Sequence, residues 1–257
     1  MEPSLARTAE LGVGAFAGVE AARFTMPAFR KQVLAEYSLS PSLLKYAEEQ
    51  TAVSLAAVLK AIRNFGLTDQ AFTDWGVVSG PRFLGREFLT RYLDKFHRQG
   101  PLAASPLITP YLSLHAVSGT ISLALQSHGP NLGVGGSAGN VQEALLAGLT
   151  MQQEHALPGV WVTASEWDPE PIPDDTGQQP EPVCRAVALA LTPDAVNGIS
   201  LNLRLSVNGN HQDCPPSTVA DLAEFLAARQ GKWSCLVGGQ GCLELTTTAA
   251  APSSRAA

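Results

Sequence analysis

Gly129-Pro-Asn-Leu-Gly-Val-Gly-Gly-Ser-Ala-Gly-Asn140 is the most informative stretch of this sequence. Residues 132 to 134 predict a short strand, and residues 139 to 153 predict a helix. The small residues that join the two are typical of a sharp elbow, which presents one side chain beside a helix N-terminus. Several enzyme classes place a nucleophile at such an elbow, because the positive end of the helix dipole stabilises an anion.

Strands and helices alternate on both sides of this elbow, which indicates an α/β layered fold. Ser40 is a natural N-cap, Pro41 suits the first helical position, and Gly66 suits the end of a helix. We therefore predict one long helix from Pro41 to Phe65, preceded by a loop. The other predicted helices follow Pro81 or cover 111–126, 139–153 and 218–228, and the predicted strands cover 11–17, 75–79, 132–134, 159–164, 185–191, 199–207, 232–237 and 242–246.

The composition is that of a globular protein. The chain has 257 residues, 45% hydrophobic and 16% charged, and its formal net charge of -6 argues against a nucleic-acid-binding surface. The N-terminus lacks a basic region before an apolar run, so we expect a cytoplasmic protein without a membrane segment. We expect a single domain over 1–248, followed by a disordered tail at 249–257.

The cysteines and the acidic residues point to no metal or cofactor. No C-x-x-C pair occurs, and Cys235 and Cys242 are expected to be free thiols, with a disulfide across a hairpin as the alternative. Six acidic residues lie between Glu166 and Pro182. Because prolines separate them, we predict a solvated loop there and not a cation site.

Three interpretations of the elbow compete. A phosphate loop is disfavoured, because the glycines match neither G-x-G-x-x-G nor the Walker spacing. Gly135 to Gly139 does satisfy the G-x-S-x-G pattern of serine hydrolases, with Ser137 as the nucleophile. The triad would then be completed by His211 and an aspartate, either Asp168 or Asp174.

The third interpretation is a family resemblance, and it covers about Leu44 to Leu191. Ser105-Pro-Leu-Ile-Thr-Pro-Tyr-Leu-Ser-Leu-His-Ala-Val-Ser-Gly-Thr120 resembles the Ser-Pro, Pro and Asn-x-x-x-Gly region of β-ketoacyl synthases. Gly129-Pro130 matches the Gly-Pro of that family, and counting on from it places Ala138 at the nucleophilic cysteine. Asn64 to Leu67, Trp75 to Gly80 and Arg185 to Leu191 resemble flanking segments in the same order. The resemblance implies a thiolase-like half-fold, a mixed sheet covered by helices.

The departures from the family pattern imply a protein without condensation chemistry. Ala138 has no thiol, so no acyl-enzyme can form there. His115 replaces the family's asparagine, and His155 and His211 lack the flanking motifs of its catalytic histidines. The chain is similar to short, chain-length-factor-like proteins of aryl-polyene and related lipid clusters. That similarity implies a non-catalytic subunit in polyketide or fatty-acid-type biosynthesis.

The partners that the resemblance implies are a catalytic ketosynthase and an acyl carrier protein, or a second copy of this chain. We expect no cofactor, no nucleic acid and no membrane. Two alternatives stay open: a serine hydrolase that uses Ser137, and a structural scaffold without an acyl pocket.

Four further residues are candidates for the acyl tunnel or the subunit interface. Phe83 and Ile108 match positions that border the acyl tunnel in ketosynthase dimers. Leu132 lies in the strand that pairs across those dimers. His115 could contact a substrate, but on an apolar helix we expect it to be a buried core histidine. Trp161 and Trp233 are expected in the core.

Overall fold

Within the residues that the structure describes, eight strands form one sheet with helices on both faces. The computed structural model describes residues 7–103, 106–172, 181–194, 199–205, 217–237 and 241–247. The strands are β1 (Arg7–Ala22), β2 (Gly76–Pro81), β3 (Asn131–Gly133), β4 (Val160–Asp168), β5 (Val183–Thr192), β6 (Ile199–Leu205), β7 (Lys232–Val237) and β8 (Gly241–Thr247). The helices are α1 (Met26–Glu36), α2 (Glu49–Asn64), α3 (Arg86–Gln99), α4 (His115–Leu125), α5 (Asn140–His155) and α6 (Val219–Ala228).

The sheet is mixed, as the family resemblance implies. Its strand order is β3-β2-β4-β5-β1-β6-β8-β7. Strands β3, β2 and β4 run parallel to one another, and every other neighbouring pair is antiparallel. The parallel strands therefore end at the same edge of the sheet, and the elbow after β3 lies at that edge.

A β-bulge in β1 distributes the side chains between the two faces. The register shifts between Val13 and Ala15, so the alternation of side chains changes phase at this point. After the bulge, Ala15 and Ala17 pack on the face that α2 and α4 cover, and Phe16 packs on the face that α5 and α6 cover. The alanines leave room for α2, which is buried along almost its whole length.

The predicted helix from Pro41 to Phe65 is wrong at its start. Residues 41 to 44 form a short 3-10 helix that Ser40 caps, and α2 begins only at Glu49. Leu44 and Ala47 are nevertheless buried, so they follow the helical periodicity without being in the helix. The apolar spacing in the sequence indicates which residues are buried. A turn can bury residues at that spacing as well as a helix can.

Helix α1 lies in a segment that the sequence predicts to be a loop. Only Met26 and Val33 of this helix are buried, which leaves too weak an apolar stripe to predict it. Trp161 and Trp233 are buried as predicted. Cys184, Cys235 and Cys242 are buried thiols, and the alternative disulfide between Cys235 and Cys242 is not formed among the described residues. None of the helices within the described ranges is long and apolar enough to cross a membrane.

Candidate functional site

The elbow between β3 and α5 is held by backbone hydrogen bonds to the end of β2. Val134 N donates to Ser79 O at 2.8 Å, and Gly136 N donates to Pro81 O at 3.0 Å. Gly135 and Gly136 both have positive φ, +88° and +86°, a conformation that L side chains rarely adopt. The two glycines therefore allow the chain to reverse sharply between the strand and the helix.

The strand before the elbow packs directly on the start of α4. A Cβ on Gly133 would lie 2.2 Å from the carbonyl carbon of Leu114, far inside van der Waals contact. Ser79 Oγ donates to the same carbonyl, Leu114 O, at 3.3 Å. The region that carries the family resemblance, from Pro106 to Ala138, thus forms one packed unit at the edge of the sheet.

Asn140 anchors the helix side of the elbow, and sequence reasoning did not single it out. Its side chain is buried, and Nδ2 donates to Gly80 O at 2.9 Å and to Ser165 O at 3.0 Å. These carbonyls lie near the ends of β2 and β4, so one amide ties α5 to two strands. The signal available in the sequence was an amide side chain at the first position of a helix that follows glycines.

At the tip of the elbow, no histidine hydrogen-bonds to Ser137 within the described residues. Ser137 and Ala138 are both exposed. Ser137 Oγ accepts from Gly139 N at 3.2 Å and donates to Glu143 Oε1 at 3.3 Å, which are the contacts of a local turn. His211 and Asp174, which the hydrolase interpretation requires, lie outside the described residues.

A buried polar cluster lies behind the elbow, where β2 and β4 end. Gln50 Nε2 donates to Arg82 O at 2.8 Å, and Ser165 Oγ donates to Gln50 Oε1 at 3.1 Å. Glu166 is buried and forms an ion pair with Arg82 at 3.4 Å, and Glu170 pairs with the same guanidinium at 3.9 Å. The predicted solvated loop is therefore wrong at its start, because Glu166 is a buried residue of β4. Glu170 lies in the loop that follows, where it is half-buried beside Arg82.

Burial changes the ionisation of two carboxyl groups in this cluster. It raises the pKa of Glu48 to about 8, although Gln50 N donates to Oε2 at 2.6 Å and Trp167 Nε1 donates to Oε1 at 3.4 Å. It also raises the pKa of Glu166, although Arg82 is close. Desolvation outweighs the favourable partners in both cases. Within the described ranges, no group of three metal-ligating side chains occurs.

Phe83 lies in the turn that joins β2 to α3, directly after the strand end that holds the elbow. Its φ is +49°, an uncommon value for a residue other than glycine. The guanidinium carbons of Arg82 and Arg86 lie 5.4 and 4.2 Å from its ring centroid. Phe83 is half-buried, and the guanidinium groups of both arginines lie against its ring.

The other sequence candidates have different surroundings. Leu132 is 43% exposed on β3, the outermost strand at this side of the sheet. A groove of about 450 Å³ lies beside it, lined by Val134, Leu146, Met151 and neighbouring residues. Ile108 lies in a 3-10 helix, Pro106–Leu112, and its side chain is outside what the structure describes.

The prediction that His115 is a core histidine is wrong. His115 is exposed, because α4 begins at this residue and not at Tyr111 as the sequence predicts. Its ring lies over its own helix, with Nε2 at 3.6 Å from the place that a Cβ on Gly119 would occupy. The side chain is therefore at the surface near the elbow and remains accessible.

No protein-family model and no curated protein sequence matches this chain. Solved structures match it over nearly its whole length. A ketosynthase in complex with its chain length factor from Xenorhabdus doucetiae matches at 16% identity and a TM-score of 0.56, covering 92% of this chain and 98% of that one. The ishigamide ketosynthase/chain length factor matches at 13% identity and a TM-score of 0.62, covering 94% of this chain and 100% of that one.

A third structure is a type II polyketide-synthase acyl carrier protein in complex with its ketosynthase bound to the hexaketide. It matches at 12% identity and a TM-score of 0.64, and 94% of this chain and 100% of that one are covered. At these identities the likeness establishes the fold. The chain therefore has the thiolase-like α/β fold of ketosynthase and chain-length-factor structures, and the predicted fold class is confirmed.

Proposed function

We propose that this protein is a non-catalytic, chain-length-factor-type subunit that assembles with a catalytic ketosynthase. The observation that carries the proposal is the tip of the elbow, where Ala138 supplies no functional group and Ser137 bonds to Glu143 and Gly139. A ketosynthase-type fold that keeps the elbow but lacks its thiol cannot hold an acyl group as a thioester. The pathway would be polyketide or fatty-acid-type synthesis, of the aryl-polyene kind, with an acyl carrier protein as the carrier.

The outer edge of β3 supports the partner in this proposal. Leu132 exposes 43% of its surface on a strand with one strand neighbour among the described residues. Exposed apolar side chains along an unpaired strand edge are unfavourable in water and favour pairing with another chain. In the proposed complex this edge meets the ketosynthase.

Phe83 is the residue that we assign to the chain-length role. It lies in the turn after β2, and its backbone strain and its two stacked cations fix the ring in one position. A rigid aromatic side chain at the contact would shape the far end of the partner's acyl tunnel. His115, which is exposed at the start of α4, and Ile108 would border the same contact.

The absence of acyl transfer to this chain is the test of the non-catalytic role. Purified protein is incubated with an acyl-loaded carrier protein, with and without the ketosynthase, and every chain is weighed by intact mass spectrometry. We expect the acyl mass on the ketosynthase and none on this chain. The Ala138→Cys variant, treated with iodoacetamide, is the control that shows whether the tip is accessible. An acyl adduct on the native chain would overturn the proposal.

A further inference from the structure

We propose a second binding site, unrelated to the elbow, that takes an amphipathic anion: an aliphatic chain with a carboxylate or phosphate head. The site is a half-open groove of about 520 Å³, a size typical of small-molecule sites. It runs along β1, and its walls are α2 on one side and α6 on the other. Neither Phe83 nor any residue of the elbow lines this groove, so the proposed binding site does not depend on the proposed function.

The groove exists because β1 loses a strand neighbour part of the way along its length. Strand β6 pairs with Arg7 to Gly12 only, and β5 pairs with Gly12 to Ala22 on the other side. Among the described residues, the second half of β1 therefore has an unpaired edge. Helix α2 packs on one face of the sheet and α6 on the opposite face, so the two helices flank this edge without covering it.

The floor of the groove is apolar. Phe16 and Phe65 form an aromatic pair with ring centroids 5.0 Å apart. Ala17, Ala223 and Leu226 continue the same surface. Gly18 faces Ala223, since a Cβ on Gly18 would lie 3.5 Å from the Ala223 Cβ, and these small residues give the groove its depth. An aliphatic chain is the ligand part that such a floor would bind.

Two cations at the rim have no carboxylate partner within the ranges that the structure describes. The Arg229 guanidinium lies over both rings of the aromatic pair, 5.0 Å from the Phe16 centroid and 5.5 Å from the Phe65 centroid. Stacking on the rings holds the guanidinium carbon, and a guanidinium in this position still has N–H donors that can bind a carboxylate or phosphate. Lys60 Nζ donates to Gly18 O at 2.9 Å, so its position is also fixed at the edge of β1.

The remaining charges of the groove orient the ligand. Arg185 lies at the far end, but it is already paired with Glu20 at 3.3 Å and with Asp168. The uncommitted positive charge is therefore at Lys60 and Arg229, in a chain whose formal net charge is -6. When the anionic head of the ligand binds these two side chains, the aliphatic part of the ligand lies on the apolar floor. A neutral or cationic amphiphile would lack the contact with the two cations.

The test is isothermal titration of the full chain with sodium decanoate below its micelle concentration. We expect saturable binding to the native chain and at least tenfold weaker binding to a Lys60→Gln/Arg229→Gln double variant. The Lys31→Gln/Lys95→Gln variant removes the same charge from exposed positions on α1 and α3, and it should bind like the native chain. Decyltrimethylammonium, which has the same tail and the opposite charge, should bind at least tenfold more weakly than decanoate.

An Ala223→Phe variant fills the groove without changing the charge, and it should lose decanoate binding while its melting temperature stays close to that of the native chain. Equal decanoate binding by both double variants, or no saturable binding to the native chain, would overturn the proposal. A dimer seen by light scattering that Ala223→Phe dissolves, and that decanoate does not, would also overturn it, because the groove would then be covered by a second copy.

Discussion

Ser137 is the residue at which a hydrolase and a ketosynthase-like subunit differ most. A G-x-S-x-G serine is activated by the histidine of its triad, whereas within the described residues Ser137 Oγ donates to Glu143 Oε1 and accepts from Gly139 N. We expect no labelling of the native chain by a fluorophosphonate probe under conditions that label a known serine hydrolase completely. Stoichiometric labelling that Ser137→Ala abolishes and Ser113→Ala leaves intact would favour the hydrolase.

Glu48 makes stability depend on pH. Burial raises its pKa from 4.5 to about 8, so the folded chain keeps a proton that the unfolded chain releases. The stabilising contribution of this group is fully present below the unfolded pKa and is lost as pH rises through the folded pKa. Glu48→Gln keeps an oxygen acceptor for Gln50 N and cannot ionise. Its free energy of unfolding should therefore fall less than that of the native chain between pH 5 and pH 8, measured by urea denaturation.

Glu224→Gln is the matched control for this pH dependence, because it removes an exposed carboxylate on α6 and leaves Glu49 and Arg30, the charges that act on Glu48, in place. It should keep the native pH dependence. Glu166 and Glu170 have pKa values raised in the same direction, so part of the slope remains in every variant. Identical slopes for Glu48→Gln and the native chain would show that Glu48 is ionised in the folded state.

At the scale of elements, β3 and α4 depend on a close backbone contact. A Cβ on Gly133 would lie 2.2 Å from the Leu114 carbonyl carbon, so Gly133→Ala must push the strand off the helix. We expect a loss of about 3 kcal/mol in the free energy of unfolding, at the upper end for overpacking. The control is Gly119→Ala within α4. Its Cβ would meet His115 at 3.6 Å, an ordinary contact, and it should gain about 1 kcal/mol from helix propensity. Equal effects of the two variants in urea unfolding would contradict the packing described here.

The elements that could be predicted from sequence are those whose burial pattern is strong. The elbow, β4 and β5 follow from apolar runs and glycines, and α6 follows from Thr218, whose side chain forms a capping box with Asp221. Helix α1 could not be predicted, because its apolar side is only two buried residues. The start of α2 could not be predicted either, since its cap is the buried carboxyl group of Glu48, which also accepts from Trp167 in a distant part of the chain.

The parts of the candidate site that could be predicted are those formed by residues close together in the sequence. The position of Ala138 follows from counting along one stretch of sequence. The anchoring by Asn140 and the pairing of Glu166 with Arg82 join residues 60 and 84 positions apart. Such pairs depend on which strands are neighbours in the sheet, and one sequence does not contain that information.

At the scale of the whole molecule, the two outer strands of the sheet are β3 and β7. Both carry a leucine, Leu132 on β3 and Leu236 on β7, but only Leu132 is exposed beside the elbow. The proposed function assigns the partner contact to the β3 side. A charge on that edge would bury an unpaired carboxylate in the complex and should prevent assembly. The same charge on the β7 edge should leave the complex intact.

The most direct test is size-exclusion chromatography with light scattering of this chain mixed with the ketosynthase of its own gene cluster. The proposal predicts a stable complex for the native chain and for Leu236→Asp, and separate proteins for Leu132→Asp. Melting temperatures of the isolated variants should show that both remain folded. A native chain that stays a monomer in the presence of the ketosynthase, or a Leu132→Asp chain that assembles as well as the native one, would contradict the proposal.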